Sequence, residues 1–351
     1  MAQIVAAFGS SHSIMLVSQR EDWQHGFRVI DTKNPHYYDR AGRPTTYDAL
    51  LALAPPEAEA MVTPDRMGER WDRAEAAMDE MRDRIAAANL DVLLVVGDDQ
   101  NELFRTTNNP AFAIYYGKTL RNAKREVGEN DNWVKKARMV RQEPDADREY
   151  PVKADLAKYL IRGLCDRDFD IAAMDGLERG QFEGHAFSFI HRRYLQGTDL
   201  PIVPVIVNTF DPPNQPTPRR CTQLGAALRE LVEAYPQDLR VGVIASGGLS
   251  HFVVDEELDH GIIDAIRRKD SAWLSALDPL QLQAGSSEIR NWLIAVEAVK
   301  DLDLEWVEYV PGYRTPALTG TGLCFAAWKT LVGDPAAGQS HGPSSRSPSA
   351  P

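Results

Sequence analysis

The chain has 351 residues, a formal charge of −12, 43% hydrophobic and 26% charged residues, which is ordinary for a globular protein and long enough for one large α/β domain or two small ones. The acidic balance argues against a nucleic-acid binder, which needs a basic face for phosphates, and pairs such as Lys135-Lys136 and Arg219-Arg220 read as solvated surface or substrate-carboxylate contacts. Three separated cysteines (Cys165, Cys221, Cys324) exclude a disulfide framework or zinc ribbon, no apolar run reaches the about 18 residues of a membrane span, and residues 1–8 lack the basic start of a signal peptide, so a reducing, cytoplasmic setting is expected.

Residues 4–8 form a continuous apolar run, expected as a buried strand, and end in Gly9-Ser10-Ser11-His12. A polar insertion near 18–65 follows, then a helical pattern over 66–88 and a second strand over 92–96 ending in Gly97-Asp98-Asp99-Gln100. The run 112–116 reads as a core strand, although Tyr115, Tyr116 or Lys118 can also serve in substrate binding. A second polar insertion spans 117–150; both insertions are candidates for lids or oligomer contacts. Helical patterns over 153–165, 222–235 and 257–268 alternate with strands over 202–207, ending in Asn208-Thr209, and 241–245, ending in Ser246-Gly247-Gly248. A last helix over 287–299 opens with Ser286-Ser287-Glu288, a plausible capping region, and carries Ile289, Trp292, Leu293 and Val296 at helical spacing. Residues 334–351 are Pro/Ser/Gly-rich and expected to be disordered. The alternation predicts a three-layer α/β/α sandwich in one catalytic domain, 1–333, with its chemistry at the carboxyl ends of strands.

Three of the eight histidines lie among small residues or at turns: His12, His185 in Gly184-His185-Ala186, and His251 after Ser246-Gly247-Gly248-Leu249-Ser250. Such placement lets an imidazole approach a metal or substrate without crowding. Glu256 follows His251 closely, and a carboxylate with imidazoles is the donor set of open-faced Fe(II) sites; His12 and Glu256 would supply two ligands. The alternatives are a hydrogen-bonded structural histidine and a glutamate favoured by the dipole of a helix's first turn. Arg192-Arg193, beside His185, and Tyr313-Arg314 are candidates to grip a carboxylate, or are surface cations.

The ordered segments 9–13, 97–100, 184–187 and 246–251, with Asn291-Trp292-Leu293 and Gly320-Thr321-Gly322, resemble the class III extradiol ring-cleavage dioxygenases. These are the LigB-like family of protocatechuate 4,5-dioxygenase catalytic subunits; a branch similar to 3-O-methylgallate dioxygenases carries Asp-Asp-Gln. The resemblance implies a LigB-like α/β fold with a mixed sheet and a single Fe(II). It implies His12 and Glu256 as ligands, with Asp255 or Glu257 less favoured by register, and His185 as the acid/base histidine. It also implies His251 in a supporting role, and a catechol- or gallate-type aromatic acid cleaved with O2.

The family's Asp-His reads Asp99-Gln100 here, so Gln100 stands at the second ligand position. Gln100 can ligate through its amide oxygen, Asp99 or Glu102 can replace it in an oxygen-rich site suited to Mn(II), or the metal can be absent. The competing functions are a metal-dependent hydrolase on the same scaffold and a non-catalytic descendant that binds an aromatic ligand or a protein. A homodimer is the default expectation, alongside the separate small helical subunit that some relatives have.

Overall fold

In the computed structural model residues 1–329 are described; the tail expected at 334–351 lies outside them. Nine strands form one mixed sheet: β1 (Gln3–Ser10), β2 (Val92–Asp98), β3 (Phe112–Tyr115), β4 (Ala172–Met174), β5 (Ile202–Val207), β6 (Arg240–Ser246), β7 (His251–Val253), β8 (Leu304–Tyr313) and β9 (Thr319–Trp328). The order is β7-β9-β1-β6-β2-β5-β3-β4, with β8 also paired to β9. At its centre β1, β6, β2 and β5 run parallel, bringing Ser10, Ser246 and Asp98 to one end. The four apolar runs became these four strands, and β2 is buried at every residue because both sheet faces are covered.

Seven helices matter to the layers: α1 (Pro64–Ala87), α2 (Trp133–Met139), α3 (Ala154–Cys165), α4 (His185–Arg193), α5 (Pro218–Ala234), α6 (Glu256–Arg267) and α7 (Ile289–Ala298). Helices α1 and α5 start alike, with a threonine (Thr63, Thr217) whose hydroxyl accepts a backbone N–H at the helix start, followed by proline at the first helical position. Alternate strand residues divide the core. Val92, Leu94 and Val96 of β2 face α3, α5, α6 and α7, including Leu160, Leu228, Ile262 and Trp292. Leu93 and Val95 face α1 and α4, including Met78, Met81, Phe187 and Ile190. These are the expected three layers, α/β/α. No helix among the described residues is long and apolar enough to cross a membrane.

The antiparallel β8–β9 pair, joined through Leu304–Tyr313 and Gly320–Trp328, was not anticipated. Both insertions carry structure. Region 117–150 forms a ribbon of Thr119–Asn122 with Arg148–Pro151 and, between them, α2, which packs on the 3-10 turn Ile14–Val17 just after His12. In region 18–65, Asp31 is buried and accepts from Arg314 Nε at 2.9 Å and Thr319 Oγ1 at 2.6 Å, tying that segment to β9. The run 112–116 is indeed strand β3, with Tyr115 buried and its hydroxyl donated to Thr119 O, 2.8 Å.

Candidate metal centre

His12 leaves β1 among Gly9, Ser10 and Ser11. Gly9 is required there: a methyl group at this position would lie 2.4 Å from the Trp292 ring. The imidazole is 1% exposed. Its Nδ1 lies 2.9 Å from Ser246 Oγ, at the end of β6, and Ser246 Oγ donates its own proton to Ala186 O, 2.8 Å. Ser246 must therefore accept from His12 Nδ1–H, which leaves Nε2 with its lone pair in the neutral ring. That Nε2 is buried with no hydrogen-bond partner and faces two carboxylates, Glu288 at 3.3 Å and Asp98 at 3.5 Å. A lone pair directed at two buried carboxylates is unfavourable, so the arrangement calls for positive charge at this point, from a metal ion between the three groups or a proton on the ring.

His12, Asp98, His185 and Glu288 each offer one donor atom, and these atoms all lie within 4.8 Å of one another. One divalent ion fits this set chemically: imidazole nitrogen with carboxylate oxygen accommodates Fe(II) or Mn(II). The carboxylates are held from outside. Asp98 accepts from Asn291 Nδ2, 3.2 Å, and Gln100 Nε2, 3.1 Å. Glu288 accepts from Gly248 N at 2.7 Å, and its other oxygen meets His251 Nε2 at 3.2 Å. His251 directs Nδ1 at Leu249 O, 2.9 Å. Burial alone would lower the His251 pKa, but Glu288 beside it raises it. Glu288 is itself held well below the carboxylate range: burial opposes this, and positive charge on the imidazoles of His12 and His251 outweighs it.

His185 opens α4. Its backbone N–H and its Nδ1 both meet Glu102 Oε2, at 3.0 and 2.6 Å; a methyl group at Gly184 would come within 2.9 Å of that oxygen. Nε2 is thereby turned to Asp98, 3.5 Å away, and the ring stands edge-on to His12 with centroids 4.6 Å apart. Burial works against charging this ring, but Glu102 and Asp98 overcome it and raise the pKa well above the usual histidine value. A cleft of about 430 Å³ opens over these groups, lined among others by His12, Gln100, Glu102, Arg141, His185 and Glu288.

Of the residues expected from sequence, His12, Gln100, His185 and His251 meet at this cleft. Glu256 does not, and the expectation that it is the metal carboxylate is corrected. Asp255 caps α6 by accepting from Leu258 N at 3.2 Å, and Glu256 accepts from Tyr313 Oη. The carboxylate beside His12 is Glu288, which its Ser-Ser-Glu context disguised as a helix cap. A usable signal was the nearby Asn291-Trp292: both side chains hydrogen-bond the end of β6, through Ser246 O and Gly247 O. Asp98 was passed over for its neighbours. Asp99 turns away to accept from Leu103 N and Phe104 N at 2.8 and 3.1 Å, and Glu102 is the partner of His185. Arg192 and Arg193 are engaged elsewhere, with Glu143 at 3.0 Å and with Glu75 and Asp79 at 3.2 and 3.0 Å.

These features define an α/β protein with a candidate metal centre at the carboxyl ends of its parallel strands, where such sheets bind ligands. The chain belongs to the family described as the catalytic LigB subunit of aromatic ring-opening dioxygenase, whose profile matches residues 54–323. It is 51% identical over 55 residues to a gallate dioxygenase of Pseudomonas putida, 16% of each protein. Over 100 residues it is 31% and 33% identical to enzymes named 2,3-dihydroxyphenylpropionate/2,3-dihydroxicinnamic acid 1,2-dioxygenase from Mycobacterium ulcerans and Xanthobacter autotrophicus. Those stretches cover 28% of this chain and 30% of each relative, so the matched length is well under two thirds of these curated proteins. An uncharacterized protein of Escherichia coli K12 superimposes with a TM-score of 0.41 at 13% identity, covering 71% of this chain and 91% of that one.

Proposed function

We propose that this chain is a non-haem, metal-dependent extradiol dioxygenase that opens the ring of a catechol- or gallate-type aromatic acid with O2. The observation that carries the reading is the unpartnered, buried Nε2 of His12 facing the Glu288 and Asp98 carboxylates, in a chain of the LigB family. His12, Glu288 and Asp98 would hold the ion. Gln100 would act beside it, donating to Asp98 and, at 3.5 Å, to Glu288, in place of the direct ligation expected from sequence. Fe(II) is the proposed ion, with Mn(II) admitted by the two carboxylates; when bound, it supplies the redox-active centre at which diol and O2 react.

The chain's own groups do the remaining work. Glu102 fixes the tautomer and direction of His185, so that a proton is exchanged with the substrate at Nε2, over the cleft. His251 and Gly248 N keep Glu288 aimed at His12, and the buried strand ends exclude bulk water behind the ligands.

The test is anaerobic loading with Fe(II) followed by oxygen-electrode assays across a panel of catechol and gallate acids. One O2 consumed per ring opened is expected, with a ring-opened product seen by absorbance and mass. No uptake with any diol despite one bound iron per chain would overturn the proposal.

A further inference from the structure

Arg141 sits in the 117–150 insertion, two residues past the end of α2, and lines the same cleft as His12, His185 and Glu288. One of its amino groups, Nη2, donates to His12 O at 2.9 Å. Its Nε is sealed from solvent and has no partner. Among the described residues it forms no ion pair, whereas the other candidate arginines do: Arg192 with Glu143, Arg193 with Glu75 and Asp79, and Arg314 with Asp31 at 2.9 Å. A half-buried guanidinium with donors to spare is a costly arrangement in an empty cleft and a favourable one when a carboxylate enters, because the planar fork matches that anion.

We infer that Arg141 selects a carboxylated diol over a neutral one, receiving the ring's carboxylate while the diol lies at the His12–Glu288 end of the cleft. The inference rests on the ring-cleavage reading only for the orientation of the ring. It transfers the carboxylate-binding role from the Arg192-Arg193 pair to a residue of the insertion. The hydrogen bond to His12 O places the guanidinium beside the first strand's histidine, so selection and metal binding share one wall.

The experiment is anaerobic calorimetric titration of the Fe(II)-loaded chain with 3,4-dihydroxybenzoate and with 4-methylcatechol. The wild type should favour the carboxylated diol by about tenfold or more, the scale of one charge-assisted pair. Arg141→Gln should bring the ratio near one, and Arg141→Lys, which keeps the charge without the fork, should retain part of it. The inference is overturned if the wild type shows no preference or does not bind the carboxylated diol, or if Arg141→Gln weakens both diols equally, as a purely structural hold on His12 would. If Arg141→Gln does not fold, Arg141→Lys decides: a ratio unchanged from the wild type overturns the inference. A carboxylate preference that follows Arg141 without any oxygen uptake supports this inference and sinks ring cleavage; uptake without preference does the reverse.

Discussion

Two glutamates compete for one role in this chain, and the surroundings of their carboxylates separate them. Glu288 lies between two imidazoles and a backbone N–H, while Glu256 lies against Tyr313 at the start of α6. Glu288→Gln should weaken metal binding at least about 100-fold, since a neutral amide replaces an anionic ligand. Glu256→Gln should leave metal content unchanged and cost about 1 kcal/mol of stability, the worth of one hydrogen bond. Elemental analysis after dialysis at a fixed metal concentration, with thermal melts, checks both; metal loss in Glu256→Gln would restore the sequence-based assignment. His12 and His185 were legible because small residues precede or flank them at turns. Glu288 was not, since an acid before an apolar helix has a common explanation in capping, and its approach to His12 depends on two segments separated by most of the chain.

Elements followed from sequence where burial on both faces wrote a continuous apolar run, as in β1, β2, β5 and β6, or where a helix carried an apolar stripe, as in α3 and α6. The β8–β9 pair escaped because β8 is only half-buried along most of its length and lacks clean alternation, while β9 opens in Thr319-Gly320-Thr321-Gly322, which masked the apolar run 323–328 behind it. One buried group stitches these elements to α6. Asp259 accepts from Ser250 N and Oγ, at 2.8 and 2.7 Å, and from Tyr309 Oη at 2.7 Å.

Burial raises the Asp259 carboxyl from 3.8 to about 6 in spite of those donors. A carboxyl whose folded pKa is raised keeps its proton longer in the folded state, so its contribution is full below about pH 4 and is lost as pH rises through about 6. Wild-type stability should therefore fall across that window relative to Asp259→Asn, by on the order of 3 kcal/mol. Urea unfolding of both proteins at pH 4, 5, 6 and 7 measures the difference. Parallel curves would show that Asp259 ionises in the fold as it does unfolded.

Across the whole molecule the two core faces meet at the strand ends, and the donor set draws on both. Glu288 comes from the face packed by α5, α6 and α7, and His185 from the face packed by α1 and α4. An ion bound there is bound only by the folded chain, so it adds stability by mass action, about 2.7 kcal/mol at a free metal concentration 100 times Kd. Stripping with a chelator should lower the Tm by a few degrees, readdition should restore it, and Glu288→Gln should not respond. An equal melting point with and without metal in the wild type would mean that the cluster holds no ion of consequence.

The proposed donors stand at positions 12, 98 and 288, with His185 beside them, and so span most of the chain. No two of the four are closer than 86 residues (98 minus 12), so a growing polypeptide contains no short chelating loop and the entropy of closing such long loops opposes early capture. Residue 288 is the last of the four to be synthesised, and until it has emerged and β1 has paired with β6 there is no pocket to fill. Metal choice is thus postponed to the finished fold, where geometry rather than whichever ion the nascent chain meets first can decide it.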